Sequence, residues 1–390
     1  MKNPTAIDCN RPHSTAIVTP GIQNLPLGFL SRFRAIGLVA HPASLTTDGR
    51  HSADHLHDLG LPLAALFGPE HGFYGRAAAG APVSSALHPG LHLPIHSLYG
   101  ATRAPTQAML DGLDLIIFDL QSLACRAYTY VSTLRLVMEA CAAAHLPLLV
   151  ADRPDPLMLT PPDGPLLDPA HSSFVALAPL PFHYGLTPAE AALRLKDVLP
   201  LPDLDLHIAP CLGLSRAITV NSSETTVKSQ PTDPALARLE AIFPPPFPAP
   251  SPSIQNLQSA LCFPATVFME ALPALSHARP TSYAFQYLSA PDRDLADILP
   301  FLPPLPGLCL EPAEDPATRR PGLHLAVTSP RDYHPAASSL ALLRALETLY
   351  TPDVLWSTPG ARPEWPVRLW GAPLSAPFLP PSSFTPTLLY

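Results

Sequence analysis

A carboxyl and an imidazole stand side by side at Glu70-His71, inside the run LAALFGPEHGFYGRAAAG that spans residues 63–80. Placed together, such groups can handle a proton at a reacting bond. Gly72, Gly75 and Gly80 follow, and glycines let the backbone take positive φ and let a ligand come close. Leu63 to Phe67 is a short apolar run of the length and character of a buried strand. The pair therefore lies just past a predicted strand end, which is where α/β folds bind and react. The same residues would also suit an ordinary polar loop, with Glu70 capping a helix and His71 in solvent. The elements around them decide between these two.

Those elements alternate. Residues 34–40 read as a strand that stops at His41-Pro42, and 48–59 as a short helix. Leu93 to Gly100 is a short strand and turn, 106–112 a short helix, and 113–120 the clearest strand in the chain. A helix runs from about Tyr128 to Ala144, and 148–151 is a further buried strand closed by Asp152-Arg153. Strand and helix in this rhythm predict a doubly wound parallel sheet, Rossmann-like in shape, with a smaller α/β domain after it. His41, Glu70, Asp119, Gln121, Arg126, Tyr128, Asp152 and Arg153 all fall at or just beyond predicted strand ends. So many polar residues converging on one sheet edge predict a polar cleft. No G-x-G-x-x-G follows a strand and no G-x-x-x-x-G-K-[ST] occurs, so nucleotide phosphates lack their usual cradle. No cofactor is expected.

His51 and His55 are spaced i, i+4, which can bind a metal, but no third ligand is nearby and a solvated face is the better reading. Thr187-Pro188-Ala189-Glu190 has the form of a capping box with proline at the first helical position. His183, just before it, can face the cleft. Residues 221–234 are polar and 243–252 are proline-rich, which places a domain boundary near 230. The expected division is thus 20–230 for the sheet domain and 231–390 for the smaller one.

Composition narrows the partners. The chain has 390 residues, 47% hydrophobic and only 14% charged, which suits a folded two-domain protein. Its 54 prolines predict few long helices in the second half. A net charge of −8 without a Lys/Arg cluster argues against nucleic acid and anionic membranes. The first 21 residues lack the apolar core of a signal peptide, and no apolar run approaches a membrane span. A cytoplasmic protein with reduced cysteines is expected.

Several runs resemble one family. GLVAHP, LFGPEHGFYG, SLYG, DLIIFDLQ, CRAYTYVSTL, ADRPDP and HYGLTPAE resemble, in order and spacing, the exo-β-N-acetylmuramidases. These bacterial glycoside hydrolases remove terminal N-acetylmuramic acid from peptidoglycan fragments. The resemblance implies a Rossmann-like domain, a smaller C-terminal α/β domain, and a cleft between them that takes a small saccharide or muropeptide. It implies Glu70 as the catalytic carboxyl, with His71 beside it, and Arg126, Tyr128, Asp152 and Arg153 around the sugar. Arg126 and Arg153 are the candidates for the lactyl carboxylate, by bidentate pairing. Glycosidic cleavage usually needs a second carboxyl. Asp119, Asp152 and Glu270 are the candidates, Glu270 through its place in the family pattern, where Arg279 also falls. The chain departs from that pattern at His41 (usually Asn), Ser122 (usually Asp), Asp155 (usually Asn), Ala271-Leu272-Pro273 and Pro280. A muropeptide-binding protein on the same scaffold is the alternative these departures suggest, and a metal-dependent hydrolase is a third.

Overall fold

Uninterrupted apolar segments become strands, because a parallel sheet covered on both faces needs apolar residues at every position. In chain order the strands are β1 (Ile36–Ala40), β2 (Leu63–Gly68), β3 (Ala86–Leu87), β4 (Pro94–Ser97), β5 (Leu115–Asp119), β6 (Leu148–Ala151), β7 (Asp163–Leu166), β8 (Pro181–His183), β9 (Leu206–Ala209), β10 (Tyr287–Ser289), β11 (Leu308–Glu314) and β12 (Pro321–Val327). The computed structural model describes residues 18–217, 233–244, 254–375, 384 and 388–390. The expected boundary near 230 and most of the proline-rich connector lie outside the described residues.

The main sheet has the order β3-β4-β2-β1-β5-β6-β9. Every pairing is parallel except β3 with β4. From β1 the chain winds outward through β2 and β4, then returns to β5 and winds the other way. The direction reverses between β1 and β5, whose register runs from Ile36 opposite Leu115 to Ala40 opposite Asp119. This is the predicted doubly wound sheet, and the reversal is the crevice where such folds bind ligands.

Alternate strand residues face opposite cores. Leu38, Ala40, Ile117 and Leu149 pack with Leu56 of the helix Ser52–Asp58 on one face. Val39, Phe67, Phe118 and Val150 pack on the other with Met138 of the helix Tyr130–Ala143. This second core continues without a break into the C-terminal unit, through Phe182, Phe268 and Trp370, whose rings lie 5.4–5.6 Å apart. That unit is a three-stranded antiparallel sheet, β10-β12-β11, with the helices Leu257–Thr266 and Pro335–Tyr350 packed on each other. Prolines interrupt helices there less than their number suggests. Several sit at the first helical position, as Pro234, Pro335 and Pro352 do, where no intrahelical N–H is lost.

Thr187 and Glu190 form the predicted capping box. No described helix is long and apolar enough to cross a membrane. Cys125, Cys141, Cys211 and Cys262 are free and buried, and Cys309 is free and exposed.

Candidate active site

β2 ends at Gly68, where a Cβ would collide with the Phe73 amide, so only glycine lets the following loop fold back on the strand. The chain then turns sharply. The Gly72 amide donates to the Pro69 carbonyl at 2.8 Å, with His71 at φ 69° and Gly72 at φ 79°. A left-handed histidine next to a left-handed glycine is a costly conformation, of the kind that clusters at functional sites. The turn aims Glu70 inward. The residue is 8% exposed: Oε1 accepts from the Gly80 amide at 2.8 Å and Oε2 from the Thr129 hydroxyl at 2.7 Å. The Tyr130 hydroxyl donates to the Glu70 carbonyl at 3.3 Å. Tyr99 completes the surround, its phenol pushed up by burial and by the Glu70 carboxylate beside it. The glycines after Glu70 thus have a second use: the loop returns so that the backbone of Gly80 binds the carboxylate.

His71 Nδ1 lies 2.9 Å from the Ala77 carbonyl. The carbonyl can only accept, so Nδ1 carries the proton and Nε2 is left as the basic nitrogen.

Thr129 is the informative residue that strand-end reasoning passed over. It occupies the N-cap position of the helix Tyr130–Ala143, yet its side chain caps nothing. A threonine cap is worth about 1 kcal/mol. Here the hydroxyl goes to Glu70 instead. The signal was present in CRAYTYVSTL, where a threonine stands at a helix start without the acidic partner of a capping box.

The reversal point between β1 and β5 is closed by protein groups. The Gln121 amide donates to His41 Nε2 at 2.9 Å, and the Ser44 hydroxyl donates to the Asp119 carbonyl. His41 is held neutral: burial, with the Arg153 charge beside it, pushes it well below the usual histidine range. Asp119 and Arg153 form a buried bidentate pair at 2.6 and 2.8 Å, and Arg153 also donates to the Leu45 carbonyl at 2.9 Å. The Gln121 side chain donates to the Pro154 carbonyl at 2.9 Å. His51 donates from Nε2 to the His41 carbonyl at 3.0 Å and caps its helix through Nδ1. Among the described residues no group of three or more His, Cys, Asp or Glu side chains is placed to hold a metal ion.

Other expected site residues are engaged in holding elements together. Asp152 accepts from the Ala189 amide, the Thr187 hydroxyl and the Tyr390 hydroxyl, each at 2.8 Å, and burial pushes its carboxyl up to about 6. Arg126 is fully buried and donates to the Pro165 carbonyl at 3.3 Å and to the Leu180 and Trp370 carbonyls. His183 lies between the Ala124 and Thr160 carbonyls at 2.7 and 3.2 Å, and burial pushes it down to about 4. Tyr128 packs edge-on against Tyr130 at 4.8 Å and against Phe263 at 5.8 Å, so the C-terminal unit reaches the Glu70 surround through that ring.

Glu270 lies on a short helical turn, ion-paired with Arg279, while Arg362 donates to its carbonyl at 2.7 Å. Arg279 stacks over Phe285 at 4.4 Å, and Phe285 packs on Phe263 at 5.0 Å. A row of rings therefore joins this ion pair to Tyr128. Among the described residues neither Glu270 nor Arg279 bonds to Glu70 or to its donors.

Asp155 supplies a stability test. Its carboxyl is fully buried, Oδ1 accepts from the Leu157 amide at 2.9 Å, Oδ2 has no partner among the described residues, and burial pushes the group up to about 8. Folded Asp155 keeps its proton where the unfolded chain has lost it, so its contribution is lost as pH rises from about 4 towards 8. Asparagine cannot titrate. The unpaired amide of asparagine costs the same at both pH values, so the stability of Asp155→Asn relative to wild type is expected to rise by about 4 kcal/mol from pH 5 to pH 9. Urea unfolding at both pH values checks this; a difference that does not change with pH would show that Asp155 is ionised in the folded state.

Fold and site together define a Rossmann-order α/β protein that carries a clamped carboxyl, rather than a phosphate loop, at the carboxyl edge of its sheet. Family models match both halves: exo-β-N-acetylmuramidase NamZ, N-terminal, over residues 36–240 and the C-terminal counterpart over 261–375. The chain belongs to this glycosidase family. Peptidoglycan β-N-acetylmuramidase NamZ of Bacillus subtilis (strain 168) is 30% identical over 339 residues, covering 84% of this chain and 76% of that protein. Two DUF1343 family proteins of Bacteroides fragilis NCTC 9343 have similar structures. One has a TM-score of 0.73 at 25% identity, covering 91% of this chain and 89% of that one. The other has a TM-score of 0.61 at 22% identity, with 92% and 89% covered, and shows likeness of fold alone.

Proposed function

We propose that this protein hydrolyses the glycosidic bond of terminal N-acetylmuramic acid on peptidoglycan fragments, with Glu70 as the catalytic carboxyl. The observation that carries the reading is the Glu70 clamp. A carboxyl at a strand end, largely withdrawn from water, is fixed by a backbone amide and a hydroxyl and followed by His71, whose Nδ1 is tied to the Ala77 carbonyl. Such a group is oriented before substrate arrives, which is what proton transfer to a leaving oxygen requires. The usual second carboxyl is not bonded into this surround: Asp119 is paired with Arg153, Asp152 holds a helix start, and Glu270 is paired with Arg279. The acetamido group of the sugar can supply the nucleophile in substrate-assisted glycosidases, so one protein carboxyl is compatible with cleavage.

The same observation favours a second reading, a muropeptide-binding protein without turnover. Incubation of the purified protein with a chromogenic β-N-acetylmuramide separates the two. Release of the chromophore together with free N-acetylmuramic acid supports hydrolysis. Saturable muropeptide binding without release would support the binding protein and sink the enzyme.

A further inference from the structure

The sugar proposed above differs from N-acetylglucosamine by a lactyl carboxylate, and this inference rests on that reading. The two arginines expected to meet the carboxylate are turned to protein acceptors: Arg126 bonds three backbone carbonyls through Nη1 and Nη2, its Nε buried without a partner among the described residues, and Arg153 bonds Asp119 and Leu45. Arg279 is paired with Glu270. Around the Glu70 loop two arginines have no carboxylate partner among the described residues, Arg76 and Arg103.

Their positions differ. Arg76 lies 5.5 Å from the Tyr74 ring, and Tyr74 packs on Phe73 and His88 within the field of Asp54. Arg103 lies 3.7 Å from the centre of the Tyr99 ring and 4.5 Å from that of Phe174, two rings that are themselves 5.5 Å apart. The hydroxyl of that same Tyr99 faces Glu70. The guanidinium lies against two rings tilted 57° to each other and hydrogen-bonds Tyr99, while its own side chain is exposed, which restrains the fork and leaves other N–H groups to donate. One tyrosine side chain separates it from Glu70. A lactyl carboxylate on the 3-oxygen is separated from the glycosidic oxygen by about one pyranose ring, so both ends of one sugar can be met at once.

We propose that Arg103, held between Tyr99 and Phe174, binds the lactyl carboxylate and distinguishes muramic acid from glucosamine. It acts on binding and leaves the reacting bond to Glu70.

The test compares wild type, Arg103→Gln and Arg103→Lys on a chromogenic β-N-acetylmuramide and on the methyl ester of its lactyl group. In Arg103→Gln the ratio of kcat/KM for acid over ester is expected to fall by about ten- to a hundred-fold, the worth of a charge-assisted hydrogen-bonded pair. The loss falls on KM, and Arg103→Lys recovers part of it by keeping the charge without the fork. An unchanged ratio in Arg103→Gln overturns the assignment while leaving the hydrolase reading intact. If wild type cleaves neither compound, the hydrolase reading fails and calorimetric binding of free N-acetylmuramic acid against N-acetylglucosamine decides about Arg103. A preference for the acid that Arg103→Gln abolishes supports the proposal. No preference in wild type, or one that survives the substitution, overturns it.

Discussion

Glu70→Gln lowers release of N-acetylmuramic acid by about 10²–10⁴-fold, the range for loss of a positioned proton donor, and leaves the fold intact. The hydrogen-bonding pattern explains why the two effects separate. Glu70 receives one bond from the Gly80 amide and one from the Thr129 hydroxyl. Glutamine keeps a carbonyl oxygen for the amide. Its NH2 meets the threonine oxygen, and the hydroxyl, which caps nothing, is free to rotate and accept. Stability should therefore stay within about 1 kcal/mol of wild type. Single-turnover release and a thermal melt on the same preparation check both halves. A variant that folds and retains wild-type activity would remove Glu70 from the chemistry. One that does not fold would make the clamp structural.

Much of this arrangement could be read from the chain. A parallel sheet buried on both faces is written as short continuous apolar runs, and β1, β2, β5 and β6 were visible as such, with the polar residues that end them. The Pro69-to-Gly80 loop was legible because its glycines and its paired carboxyl and imidazole are adjacent in sequence. What stayed hidden depends on distant partners. Arg126 and Arg153 look alike as arginines after strands. Only folding reveals that Arg126 meets carbonyls 39, 54 and 244 residues away, while Arg153 meets Asp119 at a separation of 34. The β7–β8 pair has no alternating pattern, since β7 is the four residues DGPL. The helix Leu257–Thr266 contains Pro264, so a scan for breakers reads through its Asn256 cap without seeing it. Arg103 carries no motif at all. Its position over Tyr99 comes from a loop whose stacking partner, Phe174, lies far along the chain.

Arg126→Met is expected to destabilise the protein by about 3–5 kcal/mol, the cost of breaking a buried charged network. The guanidinium joins three places: Pro165 between the paired residues of β7 and β8, Leu180 at the entry to β8, and Trp370 at the end of the helix Glu364–Trp370. Methionine fills much of the volume but takes the guanidinium donors from those carbonyls in a dry interior; Leu180 keeps the Leu167 amide at 3.3 Å, and each carbonyl left without a donor costs about 1–3 kcal/mol. Burial already weighs against the charge, pushing Arg126 down to about 9, so its value lies in the carbonyls it satisfies. Lysine should not rescue, because one ammonium on a flexible stem cannot reproduce the planar fork. Urea unfolding monitored by tryptophan fluorescence and backbone dichroism gives the stability change, and KM for the muramide gives the other possibility. A folded Arg126→Met variant of wild-type stability whose KM has risen would return Arg126 to the sugar site and displace Arg103 from it. Loss of stability with KM unchanged in the surviving fraction would make Arg126 the link through which the C-terminal helix supports the segment carrying Tyr128, Thr129 and Tyr130, and through them Glu70.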